Sequence, residues 1–379
     1  MKRVIDQTAT ADAEGFADAS FSATVITWQK QHGRHALPWQ QTQDAYRIWL
    51  SEIMLQQTQV SAVIPYYQRF LQRFPDVATL AAAPSEAVMA HWSGLGYYTR
   101  ARNLHRCAHR IVQDYAGQFP ADPVLLQELP GIGRSTAAAI SAFAYGTRAA
   151  ILDGNVKRVF ARVFGVDAYP GLRLVEEQLW RRAVALLPQN DIGSYTQGLM
   201  DLGATLCTRS KPQCAACPFK SRCVALATDR VSDLPVRKPK KTVPEKHTAM
   251  LLITDGDRVL LEQRPDSGIW GGLLSLPEIP HLLDEESAAL EEMLGEVVMR
   301  FGVARDYQRL PPFSHGFTHF KLHVAPYRIN LLHRHAVVEQ GGFFWLAADE
   351  IAEAPLPAPV KKLLLGLFES NHSYKQSGS

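Results

Sequence analysis

Four of the five cysteines in this 379-residue chain crowd into Cys207-x6-Cys214-x2-Cys217-x5-Cys223. Four thiolates in so short a stretch are the number that a 4Fe-4S cluster needs. Structural zinc sites also take four ligands but usually use two close Cys pairs. Only Cys214 and Cys217 are close here, so the spacing favours a cluster. Arg209, Lys211, Lys220 and Arg222 lie between the ligands, either as a solvated charged loop or as a basic loop that meets phosphates. Cys107 stands apart and reads as a packing residue.

Two carboxylates sit in suggestive surroundings. Glu52 lies within Trp49-Leu50-Ser51-Glu52-Ile53-Met54-Leu55, whose apolar side chains would raise its pKa and keep it a proton donor near neutral pH. The plainer reading is a solvent-facing helix glutamate. Asp153 precedes Gly154 and a helix with Val156, Val159, Phe160 and Val163 on one face; by itself it reads as an N-terminal cap. Upstream, Leu129-Pro130-Gly131-Ile132-Gly133 leads into Arg134, Ser135 and an Ala-rich helix. The two glycines let backbone N–H groups approach a phosphate at a helix N-terminus, although a plain helix connection has the same look.

The elements that must hold these residues fall into two classes. From Phe21 to about Leu226 apolar residues recur at helical spacing, as in Ile53, Val60, Val63, Ile64, Tyr67, Phe70, Leu71 and Phe74. Residues 228–246 carry Pro235, Pro239 and Pro244 among Arg237, Lys238, Lys240, Lys241 and Lys246, and read as a linker. Beyond it, Met250 to Ile253, Arg258 to Leu261, Thr318 to Val324 and Phe343 to Trp345 read as short strands of an α+β domain. A formal net charge of +3 is too mild to argue for a nucleic-acid partner. With no apolar run of membrane-spanning length and no leader pattern, the expectation is a soluble, cytoplasmic protein, nucleoid-associated in a bacterium. In such a compartment clustered cysteines ligate metal rather than form disulfides.

Taken together, Ser51-Glu52-Ile53-Met54-Leu55-Gln56-Gln57-Thr58-Gln59, Gly94-Leu95-Gly96-Tyr97-Tyr98, the Gly131-Ile132-Gly133 hairpin, Leu152-Asp153-Gly154-Asn155-Val156-Lys157-Arg158 and the cysteine quartet closely resemble the MutY adenine DNA glycosylases, over about residues 25 to 365. The resemblance implies a flexible extension (1–20), an all-α helix-hairpin-helix glycosylase domain with a 4Fe-4S loop (21–227), a linker (228–246), an α+β Nudix-like domain (247–368) and a tail (369–379). It implies a monomer acting on double-stranded DNA that carries adenine opposite 8-oxoguanine, with A·G as a further substrate. Glu52 becomes the general acid, Asp153 the carboxylate that stabilises the oxocarbenium-like sugar, and Asn155 a positioning residue, so the cap reading of Asp153 recedes. Gln56 and Tyr97 are nominated to enter the helix near the lesion, Gln57 to lie close to 8-oxoguanine, and Gly131, Gly133 and Ser135 to meet DNA at the hairpin.

Related glycosylase-lyases carry a lysine where Ser135 stands, and a serine cannot form their Schiff base. The expectation is therefore a monofunctional enzyme, against the alternatives of a lyase acting on damaged pyrimidines and an inactive DNA or nucleotide binder. In the second domain, Gly272-x5-Glu278 begins like a Nudix box, but residues 286–291 read Glu-Ser-Ala-Ala-Leu-Glu and lack most carboxylates of a metal-binding helix. That domain is expected to bind without hydrolysing. Phe317-Thr318-His319 resembles the segment with which family members recognise 8-oxoguanine, which nominates Thr318 and His319. His315, His319 and His323 have i, i+4 spacing, but the alternation around them favours a strand over a helical metal site.

Overall fold

The structure, a computed structural model, describes residues 16–239, 243–265, 268–280, 287–317, 319–335 and 342–376, without the side chains of 287–292 and 369–376. The chain divides into two units, one of Met1–Ala82 and Asn103–Lys240, the other of Ala83–Arg102 and Lys241–Ser379.

In the first unit, α1 (Ala19–His32) begins at Asp18, whose carboxylate accepts from the N–H groups of Ser20 and Phe21. It buries Phe21, Val25 and Trp28, which its period places on one face. Asp44 caps α2 (Ala45–Leu55) in the same way, and the helix buries Ile48, Trp49, Leu50, Ile53 and Met54. Helix α3 (Val60–Arg73) turns Val63, Tyr67 and Phe70 inward, and α4 (Val77–Ala82) follows.

Helix α5 (Ser85–Trp92) and the first residues of α6 (Thr99–Tyr115) group with the second unit. Two hydrogen bonds join this segment to it. The Ser93 hydroxyl donates to the carbonyl of Leu356 at 3.0 Å, and the Arg102 guanidinium donates to the carbonyl of Gly271.

Helix α7 (Pro123–Gln127) is joined by a tight hairpin to α8 (Arg134–Tyr145). The buried Ala137, Ala138, Ala139 and Ala142 of α8 allow α2 to pack closely against it. Helices α9 (Gly154–Val163), α10 (Arg173–Ala185) and α11 (Ile192–Asp201) complete this core, in which Val156, Val159 and Phe160 meet Phe21 and Val25. Helix α11 passes into a π-helical turn, Leu202–Leu206, directly before Cys207, and α12 (Val224–Ala227) follows the cysteine loop.

The second unit is built on an eight-stranded sheet among the described residues. Its strands are β1 (Glu245–Asp255), β2 (Arg258–Gln263), β3 (Leu274–Ser275), β4 (Glu278–Pro280), β5 (Gly302–Arg309), β6 (Phe313–Gly316), β7 (Lys321–Arg334) and β8 (Phe343–Ala347). The main path runs β3-β2-β1-β7-β5, with β4 on β1, β6 on β7 and β8 on β2. Strands β1 and β7 pair in parallel and the remaining pairs are antiparallel. The continuous apolar run Ala249–Ile253 suits a strand covered on both faces. Leu294 and Val298 of α13 (Ser287–Val298) pack on Leu251, Ile253 and Ile329, and α14 (Ala358–Gln376) closes the chain.

Two expected elements end elsewhere. Strand β1 begins at Glu245, so the last residues of the expected linker are sheet; at its other end Leu234 is buried and accepts from Arg162 at 2.8 Å. The strand expected from Thr318 begins at Lys321, because the Phe317 N–H donates to the Phe320 carbonyl at 2.8 Å and closes a turn first. No described helix is long and apolar enough to cross a membrane.

Candidate active site and cysteine loop

Glu52, on α2, lines a cavity of about 270 Å³ with Trp39, Ile48, Ser51, Phe143 and Gln197. Burial first, and then the nearby charge of Asp153, push its carboxyl up to about 8. Its burial therefore favours the protonated form at neutral pH.

Asp153 is the N-cap of α9, and the cap reading that the resemblance set aside is observed. Its Oδ1 accepts from the Val156 N–H at 2.8 Å, while its Oδ2 accepts from Asn155 Nδ2 at 3.1 Å. Burial pushes this carboxyl up as well, but the donors on Val156 and Asn155 and the charge of Arg158 pull it down. Capping occupies one oxygen and leaves the second beside Asn155, so the two roles are compatible. Of the two carboxyls, the one without such donors takes the proton more readily, so the surroundings favour a proton on Glu52 over one on Asp153.

The turn before Asp153 is fixed by Ser135, whose Oγ accepts from the Leu152 N–H at 2.7 Å. Gly131 has φ +81, and a Cβ there would lie 2.9 Å from Asn103 Cβ, so the hairpin requires glycine. Gly133 is the N-cap of α8 and supplies no side-chain cap; a Cβ placed on it would meet nothing within 4 Å. The first N–H groups of α8 therefore have no capping side chain, an arrangement that suits an anion.

Gln56 caps the C-terminus of α2 and donates to Thr136 Oγ1 at 3.5 Å. Gln57 is exposed with φ 58. Tyr97, in the second unit, is 48% exposed with φ 50, and the Arg100 guanidinium lies 5.4 Å from its ring centroid. Left-handed backbone on non-glycine residues is costly and recurs at functional sites.

All four loop cysteines line one cavity, together with apolar Val159, Leu202, Leu206 and Phe219. A single tetrahedral ion with bonds of about 2.3 Å needs sulfurs roughly 3.8 Å apart. Among the described residues no three cysteine sulfurs come within 4.8 Å of one another. Four thiols around one apolar cavity are, in their chemistry, a donor set that a metal cluster accepts. Phe219, fully buried between two of the ligands, stacks on Phe21 at 4.5 Å and anchors the loop to α1. Of the basic residues in the loop, Arg222 is paired with Asp18, while Arg209, Lys211 and Lys220 are exposed.

In the second unit, Arg264 donates to Glu262 at 2.6 Å and lies 3.4 Å from Glu278, placing a guanidinium beside the glutamate that resembles the start of a Nudix box. Burial pushes the Glu278 carboxyl up, against the pull of Arg264. Glu286, and the side chains that follow to 291, lie outside the described residues, as does Thr318. His319 is exposed at the turn between β6 and β7. Neighbouring Phe317 packs among Phe320 at 4.4 Å, His315 at 4.8 Å and Trp270 at 5.7 Å, which fixes the turn's base. His315 and His323 lie on strands, so their i, i+4 spacing does not bring them onto one helix face.

Sequence reasoning quoted Arg158 and passed over Arg162 and Gly203, all of which support the site. Arg158 donates to Asn155 Oδ1 at 2.8 Å, to the Cys207 carbonyl at 2.7 Å and to the Gly203 carbonyl at 2.6 Å. Arg162, 3% exposed, donates to Cys207 Sγ at 3.3 Å and to the Thr208 carbonyl at 2.8 Å. The signal available was spacing: Asn155, Arg158 and Arg162 follow i, i+3, i+7 and share one face of α9.

Residues 50–183 match the family model described as HhH-GPD superfamily base excision DNA repair protein, and residues 248–366 match that of the NUDIX domain. The chain is 35% identical over 345 residues to the adenine DNA glycosylase of Buchnera aphidicola subsp. Acyrthosiphon pisum, covering 91% of this chain and 96% of that one. It is 32% identical over 403 residues to the human adenine DNA glycosylase, covering 91% and 73%. Among solved structures, a thermostable thymine-DNA glycosylase aligns with a TM-score of 0.51 at 29% identity, covering 58% of this chain and 99% of that one.

Proposed function

The chain belongs to the adenine DNA glycosylases, base excision repair enzymes that hydrolyse N-glycosyl bonds, and on that premise we propose that it excises adenine lying opposite 8-oxoguanine, without lyase activity. The observation that carries the mechanism is the unequal carboxyl pair: Glu52 buried with its pKa raised to about 8, and Asp153 held by Val156 and Asn155.

Adenine is buried in the duplex stack and must be flipped out, at a cost of a few kcal/mol. The cavity that Glu52 lines is its destination. Adenine is a poor leaving group as an anion, so Glu52 protonates the base as the glycosidic bond breaks. Asp153 Oδ2 faces the cationic sugar that remains, and Asn155 fixes its orientation. Gln56, Gln57 and Tyr97 hold the opened duplex, and the open N-terminus of α8 takes a phosphate beside Gly131 and Gly133.

Ser135 has no amine to attack the sugar, and its hydroxyl is engaged by the Leu152 N–H, so the product is an intact abasic strand. This separates the reading from that of a glycosylase-lyase acting on damaged pyrimidines. The sequence segment Phe317-Thr318-His319 supplies the contact to 8-oxoguanine. A guanidinium beside Glu278 supports a Nudix-like unit that binds rather than hydrolyses. Cys207, Cys214, Cys217 and Cys223 hold a 4Fe-4S cluster, which when bound cross-links the loop into one rigid body. Arg209, Lys211 and Lys220 on that loop then meet the DNA backbone.

The test is alkali-developed cleavage of A·8-oxoguanine, A·G and thymine-glycol duplexes by wild type and Asp153→Asn. Cleavage of the first duplex that Asp153→Asn abolishes is expected. Absence of that cleavage, or strand scission without alkali that borohydride traps, would overturn the reading. Changing Thr318 and His319 to Ala is expected to reduce the preference for 8-oxoguanine over guanine opposite adenine.

A further inference from the structure

The parallel pairing of β1 with β7 sets His247 opposite His323, and Glu245 two residues earlier on the same face of β1. The imidazoles stack with centroids 4.7 Å apart and planes 12° from parallel. His323 Nε2 lies 3.2 Å from Glu245 Oε2, yet it is buried and receives no hydrogen bond of acceptable direction. One ligand atom from each of Glu245, His247 and His323 lies within 4.8 Å of the others.

A nitrogen and an oxygen that approach without a directed hydrogen bond have the arrangement of two ligands facing a common third atom. From this geometry we propose that Glu245, His247 and His323 bind one divalent transition-metal ion of the zinc type. Two imidazoles and a carboxylate are a donor set that zinc accepts and that magnesium and calcium, which prefer all-oxygen shells, do not. Bonds of about 2.0–2.2 Å to a tetrahedral ion place ligand atoms roughly 3.3 Å apart, so the three draw in slightly on binding. The Glu245 side chain is 57% exposed and sits at the start of its strand, so it can make that movement.

His247 and His323 line a cavity of about 430 Å³ with Ser314, Arg309 and Lys321, which leaves room for a fourth ligand. The two cations oppose an incoming metal ion, while the Glu245 carboxylate favours it; once the ion is bound they favour an anion or hydroxide as its fourth ligand. His323 pairs with Ser314 across β6 and β7. The ion thus ties the first turn of sheet after the linker to the hairpin whose tip carries Phe317 and His319. It shares no ligand with the cysteine loop and does not depend on the proposed substrate.

The test uses full-length protein with its iron retained, dialysed against zinc and then against metal-free buffer. Zinc and iron are counted together in wild type, His247→Gln/His323→Gln and Glu245→Gln. Wild type is expected to keep one zinc that the double variant loses at unchanged iron content. Glu245→Gln is expected to weaken binding at least about tenfold, the loss that even an outer-shell partner causes. Cobalt in place of zinc is expected to give weak visible bands of nitrogen and oxygen ligation without thiolate charge transfer. Equal zinc in wild type and double variant, no retained zinc in wild type, or a cobalt spectrum dominated by thiolate would each overturn the proposal. Should the double variant fail to fold, Glu245→Gln and the cobalt spectrum of wild type decide it.

Discussion

Arg158 Nε donates to the carbonyl oxygen of Cys207 at 2.7 Å. The same guanidinium reaches Asn155 Oδ1 at 2.8 Å, and Asn155 Nδ2 reaches Asp153 Oδ2 at 3.1 Å. One continuous path of hydrogen bonds therefore joins the first residue of the cysteine quartet to the carboxylate proposed to stabilise the sugar cation. Burial opposes the Arg158 charge, while Cys207 and Asp153 favour it.

Arg158→Met leaves the carbonyls of Cys207 and Gly203 without their donor, at a cost of roughly 1–3 kcal/mol each where they are shielded from water. The expected outcome is a lower Tm, faster loss of iron and a kcat that falls more than DNA affinity does. Arg158→Lys restores part of the stability but not the forked contact, so its kcat stays low. Iron content, melting curves and single-turnover rates check this together.

Glu52 is expected to set the alkaline limb of the pH profile. Its acid form is lost as pH rises through about 8, so single-turnover rates fall there. Glu52→Gln, which cannot donate the proton, loses roughly 10²–10⁴-fold at pH 7. The stability effect has the opposite sign. Because the folded pKa lies above the unfolded 4.5, the folded state holds the extra proton, and stability falls as pH rises from about 4.5 to about 8. Glu52→Gln removes that loss, so its Tm is expected to exceed that of wild type at pH 8 and to match it near pH 4.5.

Ser135→Ala removes the acceptor for the Leu152 N–H one residue before Asp153. A stability loss of about 1 kcal/mol is expected, with a lower kcat and unchanged affinity for an abasic-site duplex. Ser135→Thr keeps a hydroxyl and is expected to recover the rate. Equal rates in all three proteins would refute the positioning role.

Gly203→Ala puts a Cβ 2.4 Å from Asn155 Cβ and 2.9 Å from Asn155 Cα. The second contact is backbone and cannot rotate away, so overpacking is expected to cost about 1–3 kcal/mol. The displaced residue is Asn155, so the rate on an A·8-oxoguanine duplex is expected to fall with Tm. Circular dichroism melts and glycosylase rates on one preparation check both.

The sequence by itself determined what is local or depends on residue type. Helical spacing before about residue 226, short strands after 246 and four cysteines in one loop follow from side chains a few residues apart. The resemblance that nominates Glu52 and Asp153 was legible because its motifs are contiguous. Tertiary structure alone decided what depends on distant segments meeting. Glu52 owes its raised pKa to burial, in a cavity that Trp39, Phe143 and Gln197 also line, and to the charge of Asp153. The cap on α9 uses one oxygen of Asp153 and Asn155 engages the other, which makes the cap compatible with the proposed role. His323 reads in the sequence as a strand residue rather than a ligand of a helical metal site, and its strand placement holds. Its neighbours became visible only when β1 and β7 paired, because a parallel pairing joins residues far apart in the chain and no local periodicity encodes its register.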